Sequence, residues 1–198
     1  MNGLTRRQMI GKVLHGCAAC TAVAGIGRAA GAAESGAGER PPLGQADFPI
    51  TRNARDAEAM FRQGFNCAQA VLSCCGRRFG LPQETGKRMG AAFVGGMGMM
   101  GLTCGAVTGA FMAIGLKHAQ IDLSDKESAD KASRLVREFT KRFTRLHGSI
   151  CCNELLGVDI GTDAGVRQAT EDGSFASRCP VYVRDCAALF EHLLASGD

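Results

Sequence analysis

The stretch that most constrains this chain runs from Gly95 to Leu116: Gly-Gly-Met-Gly-Met-Met-Gly-Leu-Thr-Cys-Gly-Ala-Val-Thr-Gly-Ala-Phe-Met-Ala-Ile-Gly-Leu. Its glycine-rich first half can adopt backbone conformations that side chains forbid, and its second half has the composition of a helix entered at Thr103. With Thr103 as N-cap, the Cys104 sulfur falls in the first turn. There, unpaired amides and the positive end of the helix dipole favour thiolate over thiol. Gly105, Gly109 and Ala110 leave one face of this helix nearly bare, so a second backbone or a flat ligand can approach it closely. A phosphate-binding reading of the glycines fails, because no strand precedes them and the lysine of a P-loop is absent.

On either side the periodicity is helical. From about Asn53, apolar residues Met60, Phe61, Phe65, Ala68, Val71, Leu72 and Cys75 recur at three and four residues, which predicts a helix carrying Cys67, Cys74 and Cys75 along one side. Cys74 and Cys75 fit as small core residues. A turn at Gly80 to Pro82 leads to a helix from Glu84 to about Val94, and the helix after Cys104 ends near Gly115 to His118. Ser124-Asp125-Lys126-Glu127 starts a longer helix whose apolar stripe is Ala132, Leu135, Val136, Phe139, Phe143 and Leu146. Lys131, Arg134, Arg137, Lys141, Arg142 and Arg145 lie off that stripe, as a solvated face or a docking surface for an acidic redox partner. His147-Gly148 closes this helix, and His147 is a candidate base or ligand. Ser149 caps a short helix, Ile150 to Gly157, with Cys151 and Cys152 in its first turn. Val158 to Ser177 is polar and predicts a loop. Cys179-Pro180 opens the last helix with Cys179 as cap and Pro180 first, and Cys186 packs two turns in. No segment alternates apolar and polar residues, so the expected fold is all-α, a bundle of about five to six helices with the glycine-rich loop before Cys104.

Ten cysteines in 198 residues that include one Tyr and no Trp point to disulfides, metal or thiol chemistry, whereas a net charge of +4 is too mild to imply nucleic acid. Thr5-Arg6-Arg7-Gln8-Met9-Ile10 resembles a twin-arginine export signal, followed by a Gly/Ala-rich apolar stretch and small residues at Ala29 to Ala33. The expected organisation is a signal peptide at 1–33, a flexible linker at 34–52 and a helical domain at 53–198, in a periplasmic or otherwise exported protein without a membrane span. The twin-arginine resemblance implies export in the folded state, often with a cofactor already installed.

From Glu34 onward no C-x-x-C occurs, which removes the usual signatures of zinc ribbons, thioredoxin-like pairs and ferredoxins. Instead, sulfurs stand at separated helix entries, at Cys104, at Cys151 with Cys152, and at Cys179, with Cys67 available as a fourth. Helix N-termini converging on one point stabilise negative charge there. Met97, Met99 and Met100 are either packing or soft ligands for copper.

Four blocks resemble the C_GCAxxG_C_C family of redox-active proteins, some of whose members are treated as selenoproteins. They are Gly64-Phe65-Asn66-Cys67-Ala68-Gln69-Ala70-Val71; Gly95-Gly96-Met97-Gly98 with Cys104-Gly105-Ala106-Val107-Thr108-Gly109; Cys152-Asn153-Glu154-Leu155-Leu156-Gly157; and Cys179-Pro180 with Tyr182-Val183-Arg184-Asp185. The resemblance spans about Asn53 to Leu194. It implies that Cys67, Cys104, Cys152 and Cys179 are the family cysteines, with Cys151 as the substitute for Cys152; Cys74, Cys75 and Cys186 fall outside the pattern. Selenocysteine in relatives implies that a chalcogen does chemistry there.

The expected function is therefore that of an exported oxidoreductase-class protein whose Cys67, Cys104, Cys152 and Cys179 converge, with Gly105 beside them, to hold an iron–sulfur cluster and transfer electrons. Three alternatives stand beside it: a metal-free thiol/disulfide oxidoreductase led by Cys104, a copper- or zinc-binding accessory protein linked to transport, and a domain stapled by disulfides. The expected partner is a redox protein or a membrane transport system, with no nucleic acid.

Overall fold

The computed structural model describes residues 40–118 and 125–196. The expected export segment, 1–33, and Ser124 lie outside the described residues. Within them the fold is all-α: the only strand-like pairing is an isolated bridge between Thr103 and Cys151. The helices are α1 (Arg52–Arg62), α2 (Cys67–Gly76), α3 (Gln83–Gly90), α4 (Gly105–His118), α5 (Lys126–His147), α6 (Cys152–Leu156), α7 (Asp163–Glu171), α8 (Ser174–Ser177) and α9 (Cys179–Ala195). Short 3₁₀ turns follow α2 and α3. Nine helical segments among the described residues replace the five or six expected, for two local reasons.

First, the helix expected across Asn53 to Cys75 is broken. Gly64 takes a positive φ of 101°, which ends α1, and Asn66 restarts the chain as the N-cap of α2. Its side-chain oxygen accepts from the Gln69 amide at 2.9 Å, and the Gln69 side chain accepts from the Asn66 amide at 2.9 Å, a reciprocal capping box. Second, the stretch expected as a loop, Val158 to Ser177, contains α7 and α8. Thr162 caps α7 by accepting from the Gly165 amide at 3.1 Å. The helix buries only Gly165 and Ala169, too little apolar surface to give a visible period.

The core lies where α2 and α4 pack against each other and against α9. α5 closes it with Leu135, Phe139 and Phe143, all buried, and Phe111 of α4 meets Phe139 edge-on at 5.7 Å. Each such phenyl, fully removed from water, contributes roughly 1.5–3 kcal/mol. Arg134, Arg137, Lys141 and Arg145 are exposed on the far side of α5. Asp125 caps α5 by accepting from the Ser128 amide, and Gly148, at a φ of 87°, ends it as expected.

From Arg40, the segment expected as part of a flexible linker runs along the helices instead. Phe48 is buried and stacks on His192 at 5.9 Å, Arg178 donates to the Pro41 carbonyl, and Arg40 pairs with Asp172. Among the described residues, no helix is long and apolar enough to cross a membrane.

Candidate redox site

Cys67, Cys104, Cys152 and Cys179, which are far apart in sequence, line one cavity of about 330 Å³. Its walls include Phe61, Phe65, Phe175, Leu155, Leu156 and Tyr182, and no charged side chain lines it. Each of the four cysteines stands at the start of a helix. Cys67 is the first residue of α2, Cys152 of α6 and Cys179 of α9, while Cys104 immediately precedes α4.

Three of these helix starts differ by one or two residues from expectation. Cys104 itself caps α4: its carbonyl accepts from the Thr108 amide at 2.9 Å, and its sulfur accepts from the amides of Ala106 and Val107. Thr103, expected as the cap, is held in the bridge to Cys151. Cys151, not Ser149, occupies the N-cap of α6, while the Ser149 hydroxyl accepts from the Cys151 amide at 2.8 Å. Cys179 is the first residue of α9, with Pro180 second. The expectation for Cys67 also changes, because the break before α2 makes it a fourth helix entry rather than a mid-helix residue. The signal for this was present as Asn66 followed three residues later by Gln69. Asn66 also donates to the carbonyls of Gly90 and Ala91, both at 3.2 Å, which ties the start of α2 to the end of α3. Asn66→Ala is expected to lower stability by about 1–2 kcal/mol in denaturant titration, as losing an N-cap does.

The vicinal pair is divided by geometry. Cys152 faces the cavity, whereas the Cys151 thiol donates to the Gly101 carbonyl at 3.1 Å and does not line it. Before α4, the residues from Gly95 to Met99 all have positive φ, including Met97 at 63° and Met99 at 65°, and form a left-handed turn. A Cβ on Gly96 would lie 2.7 Å from the Leu102 carbonyl oxygen and 2.8 Å from the Cys152 Cβ, so this turn needs glycine to sit against Cys152. Of the three loop methionines Met99 alone lines the cavity, and Met100 is 57 % exposed.

The sulfurs form two contacting pairs. The Cys152 thiol donates to Cys104, and this contact, opposed by burial and helped by the Ala106 and Val107 amides, lowers the Cys104 pKa. The same contact, together with burial, raises Cys152 far above the ordinary thiol range. The Cys67 thiol is likewise raised, first by its hydrogen bond to Cys179 and then by burial. Cys104 is therefore the favoured thiolate of the cavity and Cys152 its proton donor. Outside the cavity, burial pushes Cys74 up to about 11 and raises Cys75 and Cys186 too, the behaviour of inert core thiols.

Gly105 lines the cavity, as expected of a residue beside Cys104. His147 does not: it is fully buried beside Asp185, behind Tyr182. No three Cys, His or carboxylate donors among the described residues are grouped as ligands of one metal ion. Zinc sites, with three or four protein ligands, need such a group. The two contacting pairs place four sulfurs, the donor type that iron–sulfur clusters take, on one largely apolar cavity. All eight described cysteines are free thiols, so no disulfide staples the described fold.

The chain belongs to the C_GCAxxG_C_C family, whose model, described as "Putative redox-active protein (C_GCAxxG_C_C)", matches residues 65–193. Comparison with curated proteins and with solved structures gives no match.

Proposed function

We propose that this protein is an exported electron carrier in which Cys67, Cys104, Cys152 and Cys179 hold an iron–sulfur cluster. The observation that supports this reading most directly is the placement of all four sulfurs at helix N-termini around one apolar cavity without a charged side chain. Thiolates gathered in a dry space repel one another and resist desolvation, and four positive helix ends offset both costs. A cluster held there supplies one-electron chemistry. The protein's own residues do the rest: the Ala106 and Val107 amides help to favour the Cys104 thiolate, and Phe61, Phe65 and Phe175 exclude water. The exposed basic face of α5 is the docking surface we assign to an acidic redox partner. The twin-arginine-like N-terminus supports a periplasmic or equivalent exported location. The full chain, purified anaerobically, is expected to show broad visible absorption with stoichiometric iron and sulfide, lost on chelation. A colourless chain free of iron and sulfide overturns this reading.

A second reading is favoured by one contact, the Cys152 thiol donating to Cys104. In a metal-free protein the Cys104 thiolate attacks a substrate disulfide, releasing one substrate thiol. Cys152 then loses its proton and attacks the Cys104 sulfur, releasing the second substrate thiol and leaving a Cys104–Cys152 disulfide. The pH dependence follows from the signs of the shifts. Because the folded pKa of Cys104 is depressed, its thiolate contributes stability above the ordinary thiol range, and that contribution is lost as pH falls through the folded value. Ultraviolet thiolate absorbance of the metal-free chain is expected to show one sulfur ionising below the ordinary range. Cys104→Ser should remove that transition, and Cys152→Ala should move it upward by deleting the donor.

A further inference from the structure

Behind the cavity wall lies a histidine–aspartate pair that the redox chemistry above does not use. His147, the last residue of α5, and Asp185, in the middle of α9, have fully buried side chains, with His147 Nε2 3.2 Å from Asp185 Oδ2. The two atoms are close but poorly aligned: neither imidazole nitrogen and not Oδ2 makes a hydrogen bond, although all three are shut off from solvent. Leaving three buried polar atoms unpartnered is costly, and such a defect calls for a functional account. The other carboxylate oxygen, Oδ1, accepts from Arg184 Nε at 2.8 Å, and the Arg184 side chain is 30 % exposed, so the pair reaches the surface there.

On its other side the pair reaches the cavity through one ring. The His147 ring lies 5.0 Å from that of Tyr182, centroid to centroid, and Tyr182 lines the cavity. The Tyr182 hydroxyl donates to the Leu155 carbonyl at 2.9 Å and accepts from Arg178 Nε. Burial pushes Tyr182 up to about 12, helped by the charges of Cys179 and Cys104, so the phenol stays protonated at neutral pH. The remaining neighbour on α5 is the Phe143 ring at 4.6 Å, and Arg145 points outward to Asp47 of the N-terminal segment. Thus the groups facing His147 are Asp185 with Arg184 behind it, and Tyr182 with Arg178 behind it. Among the side-chain types gathered here, imidazole is the one that ordinarily takes up a proton near neutral pH.

We propose that the His147–Asp185 pair is the proton acceptor of the redox centre: an electron entering the cavity is accompanied by a proton from solvent onto His147, and both leave on oxidation. This rests on the iron–sulfur reading above, since a thiol–disulfide couple moves two electrons and carries its protons on sulfur. The balance is one electron from an external one-electron donor and one proton from water. The added negative charge in the cavity and the imidazolium behind Tyr182 then attract each other across a dry interior, where charges are weakly screened.

The test is the midpoint potential of the full chain measured against pH with one-electron mediators. The wild-type potential is expected to fall as pH rises through the interval in which His147 titrates, and His147→Gln is expected to flatten that slope. A reversible couple with the same slope in H147Q overturns the proposal alone, whereas a chain with no one-electron couple at any pH overturns the iron–sulfur reading on which it rests. A second measurement avoids disturbing the buried pair. With His15, His118 and His192 replaced by glutamine, His147 gives the only imidazole signals in the proton spectrum. They are expected to titrate at higher pH in the reduced than in the oxidised protein. Identical titration in both states, or none in either, overturns the proposal.

Discussion

Cys104→Ser is expected to leave the far-ultraviolet helix signal intact while abolishing the redox centre, with loss of bound iron and sulfide and of any reversible couple. The loss should exceed about a hundredfold, since even groups one step behind a metal ligand are worth 10–100-fold. The argument is local. Cys104 is the one cavity sulfur with a lowered pKa, because it accepts from Cys152 and from two backbone amides. A serine hydroxyl keeps the cap on α4, so the helix survives, but it does not ionise in this range and is a poor ligand for iron. Cys151→Ser is the matched control: its sulfur donates to the Gly101 carbonyl outside the cavity, and the centre should load as in the parent chain. Equal cofactor content and redox behaviour in C104S and the parent would remove Cys104 from the site.

What could be seen of this arrangement in the sequence depended on how local its cause was. The α5 stripe and its Gly148 stop were legible because period and cap lie within a few residues of each other, and the structure places both as expected. Helix entries at Cys104, Cys152 and Cys179 were legible to within two residues for the same reason. The break at Gly64 was hidden by an apolar rhythm that continues across it, since Phe61 and Phe65 serve the cavity wall rather than one helix face. α7 was invisible because it is held by a cap and two small buried residues. The convergence of four sulfurs follows from packing between elements distant in sequence, and only the family resemblance pointed to it beforehand. The His147–Asp185 contact has no local signature at all, being made between the end of α5 and the middle of α9.

Two alanines on the same helix test whether close backbone approach, rather than cofactor contact alone, explains the glycines of α4. Gly105 and Gly115 both lie in α4, where replacing glycine by alanine should gain about 0.5–1 kcal/mol of helix propensity. At Gly115 a Cβ would meet nothing within 4 Å, so Gly115→Ala should realise that gain. At Gly105 it would lie 2.7 Å from the Phe93 carbonyl oxygen and 3.2 Å from the Ala68 amide nitrogen. Both are backbone atoms, which cannot rotate away as a side chain does, so α4 must retreat from the start of α2. Overpacking of this kind costs about 1–3 kcal/mol and outweighs the propensity gain. Gly105→Ala is therefore expected to be less stable than the parent in urea, while Gly115→Ala is more stable. The displacement also carries Cys104 away from Cys67, whose Cβ lies 3.4 Å from the same hypothetical methyl, so G105A should lose loading of the centre even where it remains folded. A G105A protein as stable and as fully loaded as G115A would show that the α2–α4 contact does not set the spacing of the sulfurs.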